Sequence, residues 1–177
     1  MGRKAAIVAS ALTMGMALAS TASAGRSSHG TFEDEGTEVV EGFCGVDGLT
    51  VERTFALEVR VLVVPHGPDG PAYFLQHGSR TEVITNTANG KRVTTSANVV
   101  EKDLLVTENA DATLTILVLA TGNAVVYGGD GKAIARNPGQ IRFQLLEDEA
   151  GLHFVGVVKE STGRSDDFCD ATVRALS

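Results

Sequence analysis

Tryptophan is absent from this chain of 177 residues, which has only two tyrosines and seven phenylalanines. A face that grips sugars stacks them on exposed rings, and so few rings belong mostly in a core, so a carbohydrate-stacking surface is excluded. Cysteine occurs twice, as Cys44 and Cys169, with no Cys-x-x-Cys spacing and no further ligands close to either. That excludes a thioredoxin-like redox motif and a structural zinc site. Basic residues are the minority, 15 against 22 acidic ones for a formal charge of -7. A chain of that sign has no electrostatic reason to bind nucleic acid or an anionic membrane. The histidines, His29, His66, His77 and His153, include no pair two to four residues apart, so no strand or helix presents a metal pair. Gly-x-Ser-x-Gly is missing, and Gly128-Gly129-Asp130-Gly131 lacks both the Lys-Ser/Thr of a phosphate loop and the spaced acids of a calcium loop. No metal and no cofactor are expected.

What the chain does have is alternation. From Thr50 to Val64 the odd positions read Val51, Arg53, Phe55, Leu57, Val59, Val61 and Val63, all apolar but Arg53. The even positions begin Glu52, Thr54, Ala56, Glu58 and Arg60 before Leu62 and Val64. Side chains alternate faces along a strand, so this is a long half-buried β-strand whose far end is buried on both faces. A helix would set Val51, Phe55 and Val59 beside Glu52 and Arg60 with no polar stripe opposite.

Residues 1–24 read as a secretory signal peptide: Arg3 and Lys4, an apolar run from Ala5 to Leu18, and Ala22-Ser23-Ala24 before a cleavage expected ahead of Gly25. The run is short and rich in alanine, unlike a membrane span of roughly 20 strongly apolar residues. Losing Arg3 and Lys4 moves the formal charge from -7 to -9. Residues 25–42 are rich in Gly, Ser and Glu and poor in apolar side chains, and are expected to be a flexible acidic leader. Residues 43–177 then form a single domain of ordinary size. In an exported protein Cys44 and Cys169 form one disulfide, worth about 4–5 kcal/mol on loop-closure entropy.

Along the domain, Pro65 to Pro71 is a loop with three prolines, followed by strands at Ala72–Gln76 and Thr81–Asn86 around a turn at Gly78-Ser79-Arg80. Asn89-Gly90 marks a hairpin into Arg92–Asn98, and Leu104–Thr107 is a further strand. Ala112–Ala120 carries Leu114, Ile116 and Val118 on one face and Leu117 and Leu119 on the other, before a turn at Thr121-Gly122-Asn123 and a short strand at Val125–Tyr127. Gln140–Leu146 and Leu152–Lys159 make a hairpin. Asp166 or Asp167 would cap a short C-terminal helix or capping segment with Phe168, Thr172 and Leu176 at helical spacing. About nine short strands and no βαβ alternation give an all-β, antiparallel fold. Tight turns favour an up-and-down β-barrel, with a β-sandwich as the alternative. The expected core is Phe55, Leu57, Val59, Val61, Val63, Leu114, Ile116, Val118, Ile141, Phe143, Leu145, Phe154 and Val158.

Phe43-Cys44-Gly45, the stretch from Thr85 to Lys91 and Asp167-Phe168-Cys169, together with the signal peptide, resemble small exported β-domain proteins of actinobacteria. The resemblance implies an exported antiparallel domain and carries no catalytic residues.

Two functions fit. One is a secreted, non-enzymatic binding or interaction module for a small apolar molecule or a protein, a second copy of the chain included. Its candidate contact residues are Leu117 and Leu119, surplus to one buried face. The other is a cofactor-free isomerase or hydrolase with His77 or His153 as general acid or base, His77 assembling with Arg80, Glu82 and His153 across strands. Glu52, Glu58 and Arg60 read as an ordinary solvated face.

Overall fold

A computed structural model describes residues 27–67 and 70–177, so the expected signal peptide lies outside the described residues. Eight strands follow in order: β1 (Ser28–Val40), β2 (Val51–Val64), β3 (Tyr73–Asn86), β4 (Arg92–Glu108), β5 (Leu114–Tyr127), β6 (Ala133–Arg136), β7 (Gly139–Asp148) and β8 (Gly151–Lys159). Helix α1 (Phe168–Leu176) closes the chain. All strands belong to one antiparallel sheet in the order β1-β2-β3-β4-β5-β7-β8, with β6 paired to β5. The up-and-down order is the expected one. No ladder joins β8 to β1 among the described residues, so the sheet is open rather than closed into a barrel.

The alternation in β2 does what its period demands. Val51, Leu57, Val59 and Val61 are buried, while Glu52, Thr54, Ala56 and Arg60 are exposed. Through the ladders this defines an inner face on every strand. At one end of that face Phe43, Leu49, Val51, Ile84, Val93, Val126 and Ala135 pack beneath Ala171 and Leu176 of α1. Two further clusters lie beyond, one around Leu57, Val59 and Val61 and one around Val106, Ile116, Val118 and Phe143.

Helix α1 starts where its cap requires. The Asp167 carboxylate accepts from the Asp170 N–H at 2.9 Å, and Thr172 and Leu176 are fully buried. Cys169, in its first turn, is bridged to Cys44 with the Cα atoms 5.5 Å apart. The expected disulfide is therefore present.

Several expectations are corrected. The stretch expected to be a flexible leader is β1 from Ser28 on, in register with β2 from Ser28↔Val63 to Val40↔Val51. Composition counts side chains, whereas an edge strand is held by its backbone ladder and a few anchors. Here those anchors are Phe32 and Val40, with the Phe55 ring set 3.1 Å from where a Cβ at Gly36 would lie.

The breaks expected at Gly78-Ser79-Arg80, between Asn98 and Leu104, and at Thr121-Gly122-Asn123 are not turns. β3, β4 and β5 run unbroken through them for 14, 17 and 14 residues. Gly78, Val99, Gly122 and Gly139 fall opposite one another in a single row across four strands. A Cβ on Gly122 would lie 2.3 Å from the Asn98 carbonyl oxygen. Glycine there lets neighbouring backbones approach, a role that sequence cannot tell from a turn.

The core set is also revised. Phe154 and Val158 are 42% and 55% exposed, because β8 is an edge strand whose pairing with β7 shifts register twice.

Candidate functional site

The histidine constellation does not assemble. His77, on β3, sits opposite Arg60 and Val100 and is exposed on the outer face. Arg80 and Glu82 stand three and five residues from it, both odd separations, and the ladders place both on the inner face with Leu57 and Phe55. His153 lies on β8, beyond β4, β5 and β7 from His77, about 20 Å away along the sheet at ~4.8 Å per strand. Its Nε2 meets Asp148 Oδ1 at 2.9 Å, and this contact holds the Asp148 carboxyl below the usual carboxylate range. Both groups lie at the exposed β7–β8 turn. His66 packs against the Tyr73 ring at 4.9 Å, and His29 is exposed on β1.

Leu117 and Leu119 are half-buried on the outer face of β5, as the alternation required. Leu117 lies between Leu105 and Gln144, and Leu119 between Lys102 and Arg142. The Arg60 Nε to Glu58 Oε1 contact of 2.7 Å is exposed, in keeping with a solvated face. Gly128 to Gly131 form a turn, closed by the Gly131 N–H on the Gly128 carbonyl at 2.9 Å.

Register brings together a different set of residues. On the inner face of β1–β4, between the helix-covered core and the Leu57 cluster, Arg53 and Arg80 flank the Phe55 ring, their guanidinium carbons 5.9 and 5.5 Å from its centroid. Such contacts contribute about 0.5–1 kcal/mol where partly solvated. Arg53 pairs with Glu38 and lies 3.7 Å from Glu82, Arg80 Nη2 is 2.5 Å from Glu82 Oε1, and the Thr95 hydroxyl donates to Glu82 Oε2 at 3.1 Å. The cluster is electrically balanced but not saturated. The Nε atoms of Arg53 and Arg80 are buried with no hydrogen-bond partner, and Glu82 Oε1 touches Arg80 without hydrogen-bond alignment. A buried donor without an acceptor costs about 1–3 kcal/mol.

The signal for this site was present at Arg53, the single charge in the apolar series of β2. Its partners were illegible, because which residues of β1, β3 and β4 stand opposite depends on register.

A second polar group lies farther along the same face. Gln76 donates to Glu101, and the Phe74 N–H donates to Asp103 Oδ2 at 2.8 Å. Burial raises the Glu101 carboxyl, against the Gln76 bond and with the help of Asp103. Burial likewise pushes Asp103 up to about 6, the Phe74 bond opposing and Glu147 adding to the rise. Among the described residues no group of three or more His, Cys, Asp or Glu is arranged to hold a metal ion. An open depression of about 430 Å³ over β1–β3 is lined by Glu35, Gly36, Thr37, Thr54, Phe55, Ala56, Thr81 and Val83, most of them on the reverse face.

Among the described residues no helix is long and apolar enough to cross a membrane. No family model, curated protein or solved structure matches the chain.

Proposed function

We propose that this is a secreted, non-enzymatic binding module that holds a small, largely apolar molecule on the inner face of its sheet, at Phe55, Arg53 and Arg80. The observation that carries the reading is the pair of buried Nε–H donors, neither with a hydrogen-bond acceptor, on arginines that flank one aromatic ring between two apolar clusters. Few polar groups in an apolar setting are what fixes a ligand's orientation. The two donors call for an acceptor, so a carboxylate or carbonyl on an apolar body fits best. The reading does not depend on barrel closure, which would need a β8–β1 ladder, because the cluster sits on strands that are already paired.

Binding to the folded state alone raises stability by about 2.7 kcal/mol at a hundredfold excess over Kd. Octanoate and benzoate are therefore expected to raise the melting temperature of the wild-type protein and to leave that of Phe55→Ala and Arg80→Gln unchanged. Equal shifts in wild type and both variants would sink the reading.

The enzyme alternative keeps one specific support, moved from histidine to carboxyl. Asp103, raised to about 6 beside Glu101, is poised for proton transfer near neutral pH. Turnover in a hydrolase and isomerase screen, abolished by Asp103→Asn, would favour it over binding.

A further inference from the structure

Among the described residues the main path of the sheet ends at β1 and β8, each with one side that no ladder pairs and that can template another strand. They are protected very differently. β1 carries Glu33, Asp34, Glu35 and Glu38, so a copy of itself would meet a row of like charges. β8 has no such guard. Between Gly151 and Lys159 its only formal charge is Lys159, and His153 is engaged by Asp148. Leu152, Phe154, Val155 and Val158 are 44%, 42%, 60% and 55% exposed. Adjacent Phe154 and Val155 are both exposed where the pairing with β7 slips.

We propose that β8 pairs antiparallel with β8 of a second copy about a twofold axis at Val155. The charges at its two ends choose this occupant. The β7–β8 turn is acidic, with Glu147, Asp148 and Glu149, whereas the other end holds Lys159 opposite Arg142, with Glu160 beyond. Antiparallel pairing brings each basic end to the other copy's acidic turn, twice by symmetry. In that register Leu152 faces the second copy's Val158, and Phe154 faces the second copy's Gly156, whose Cβ position meets nothing within 4 Å. An aromatic side chain over a cross-strand glycine covers backbone that glycine leaves bare. The pairing stands apart from the ligand site on β1–β4, and neither requires the other.

Sedimentation of the disulfide-intact mature chain across micromolar concentrations tests it. A reversible dimer is expected for wild type and a monomer for Val155→Lys, which sets two ammonium groups together at the axis. Far-ultraviolet circular dichroism establishes that the variant is folded. Lys159→Glu should weaken the dimer about three- to tenfold, and the swap Glu149→Lys with Lys159→Glu should restore it. The swap remains informative if Val155→Lys does not fold. A monomeric wild type, including one in which β8 is closed by its own β1, would overturn the proposal. So would a dimer unaffected by folded Val155→Lys, or a charge swap that fails to restore what the single change lost.

Discussion

The side-chain amide of Asn86, at the end of β3, donates to the backbone carbonyl of Leu176 at 3.0 Å, ninety residues away. Asn89, in the β3–β4 turn, donates to the same oxygen at 2.9 Å. The last carbonyls of a helix have no intrahelical partner. Here a hairpin supplies two donors, and the helix that covers the core is fastened at its C-terminal end as the Cys44–Cys169 bridge fastens its start.

Asn86→Leu is therefore expected to lower unfolding stability by about 1–3 kcal/mol, since Asn86 is buried and its Oδ1 also accepts from the Ala88 N–H. Asn89→Ala should cost less, because Asn86 still meets the carbonyl. Urea titration of the two variants measures both, and a larger loss for Asn89→Ala would show that the fastening is misassigned.

Val59→Asp should destabilise by several kcal/mol, because Val59 is 4% exposed between Phe32 and Gly78, in an apolar cluster with Leu57 and Val61. Glu58→Ala, which removes only an exposed contact with Arg60, should stay within about 0.5 kcal/mol. Similar denaturation midpoints for the two would mean that the faces of β2 are assigned the wrong way round.

The pH dependence has a definite sign. The folded Asp103 carboxyl lies at about 6 against an ordinary 3.8, and Glu101 is shifted in the same direction. Each binds its proton more tightly in the folded state. Their contribution is full below the unfolded values and is lost as pH rises through the folded ones. Between about pH 4 and about pH 6 the Asp103 contribution to stability should decline, and Asp103→Asn should flatten that decline. Near neutral pH the variant should be the more stable protein, by about 1–2 kcal/mol after allowing for solvent screening. A steeper decline in the variant would contradict the assignment.

Gly122→Ala should cost more than the usual small change, since the added methyl meets the Asn98 carbonyl oxygen at 2.3 Å and the Val99 Cα at 2.9 Å. Gly30→Ala, with nothing within 4 Å of its Cβ position, is the control. Comparable thermal stability for the two would show that β4 and β5 are not in close approach.

That glycine also explains what could be read in advance. Strand β2, the β7–β8 hairpin and a helix cap at Asp166 or Asp167 were legible because each rests on local spacing, and the cysteine pairing because two cysteines in a chain read as exported allow a single bridge. The glycines at 78 and 122 punctuate a sequence as turns do, and only the cross-strand row shows that they are points of approach within continuous strands. β1 was hidden for a related reason, since its partner supplies what its composition lacks. Of the site, Arg53 stood out as a misplaced charge. Arg80, Glu82 and Thr95 joined it through register, to which no local pattern is sensitive.

The bridge between Cys44 and Cys169 encloses β2 to β8 in one covalent ring, with β1 ahead of it and most of α1 behind. Tension applied to the two ends of the chain therefore passes through the sulfur atoms and bypasses the seven strands between them. Pulling can peel β1 and unwind the helix, but it cannot lengthen the 125-residue span inside the ring, about 400 Å of hidden chain. Reduction of one bond releases that length, so a stretched molecule would act as a short tether while oxidised and a long one once reduced.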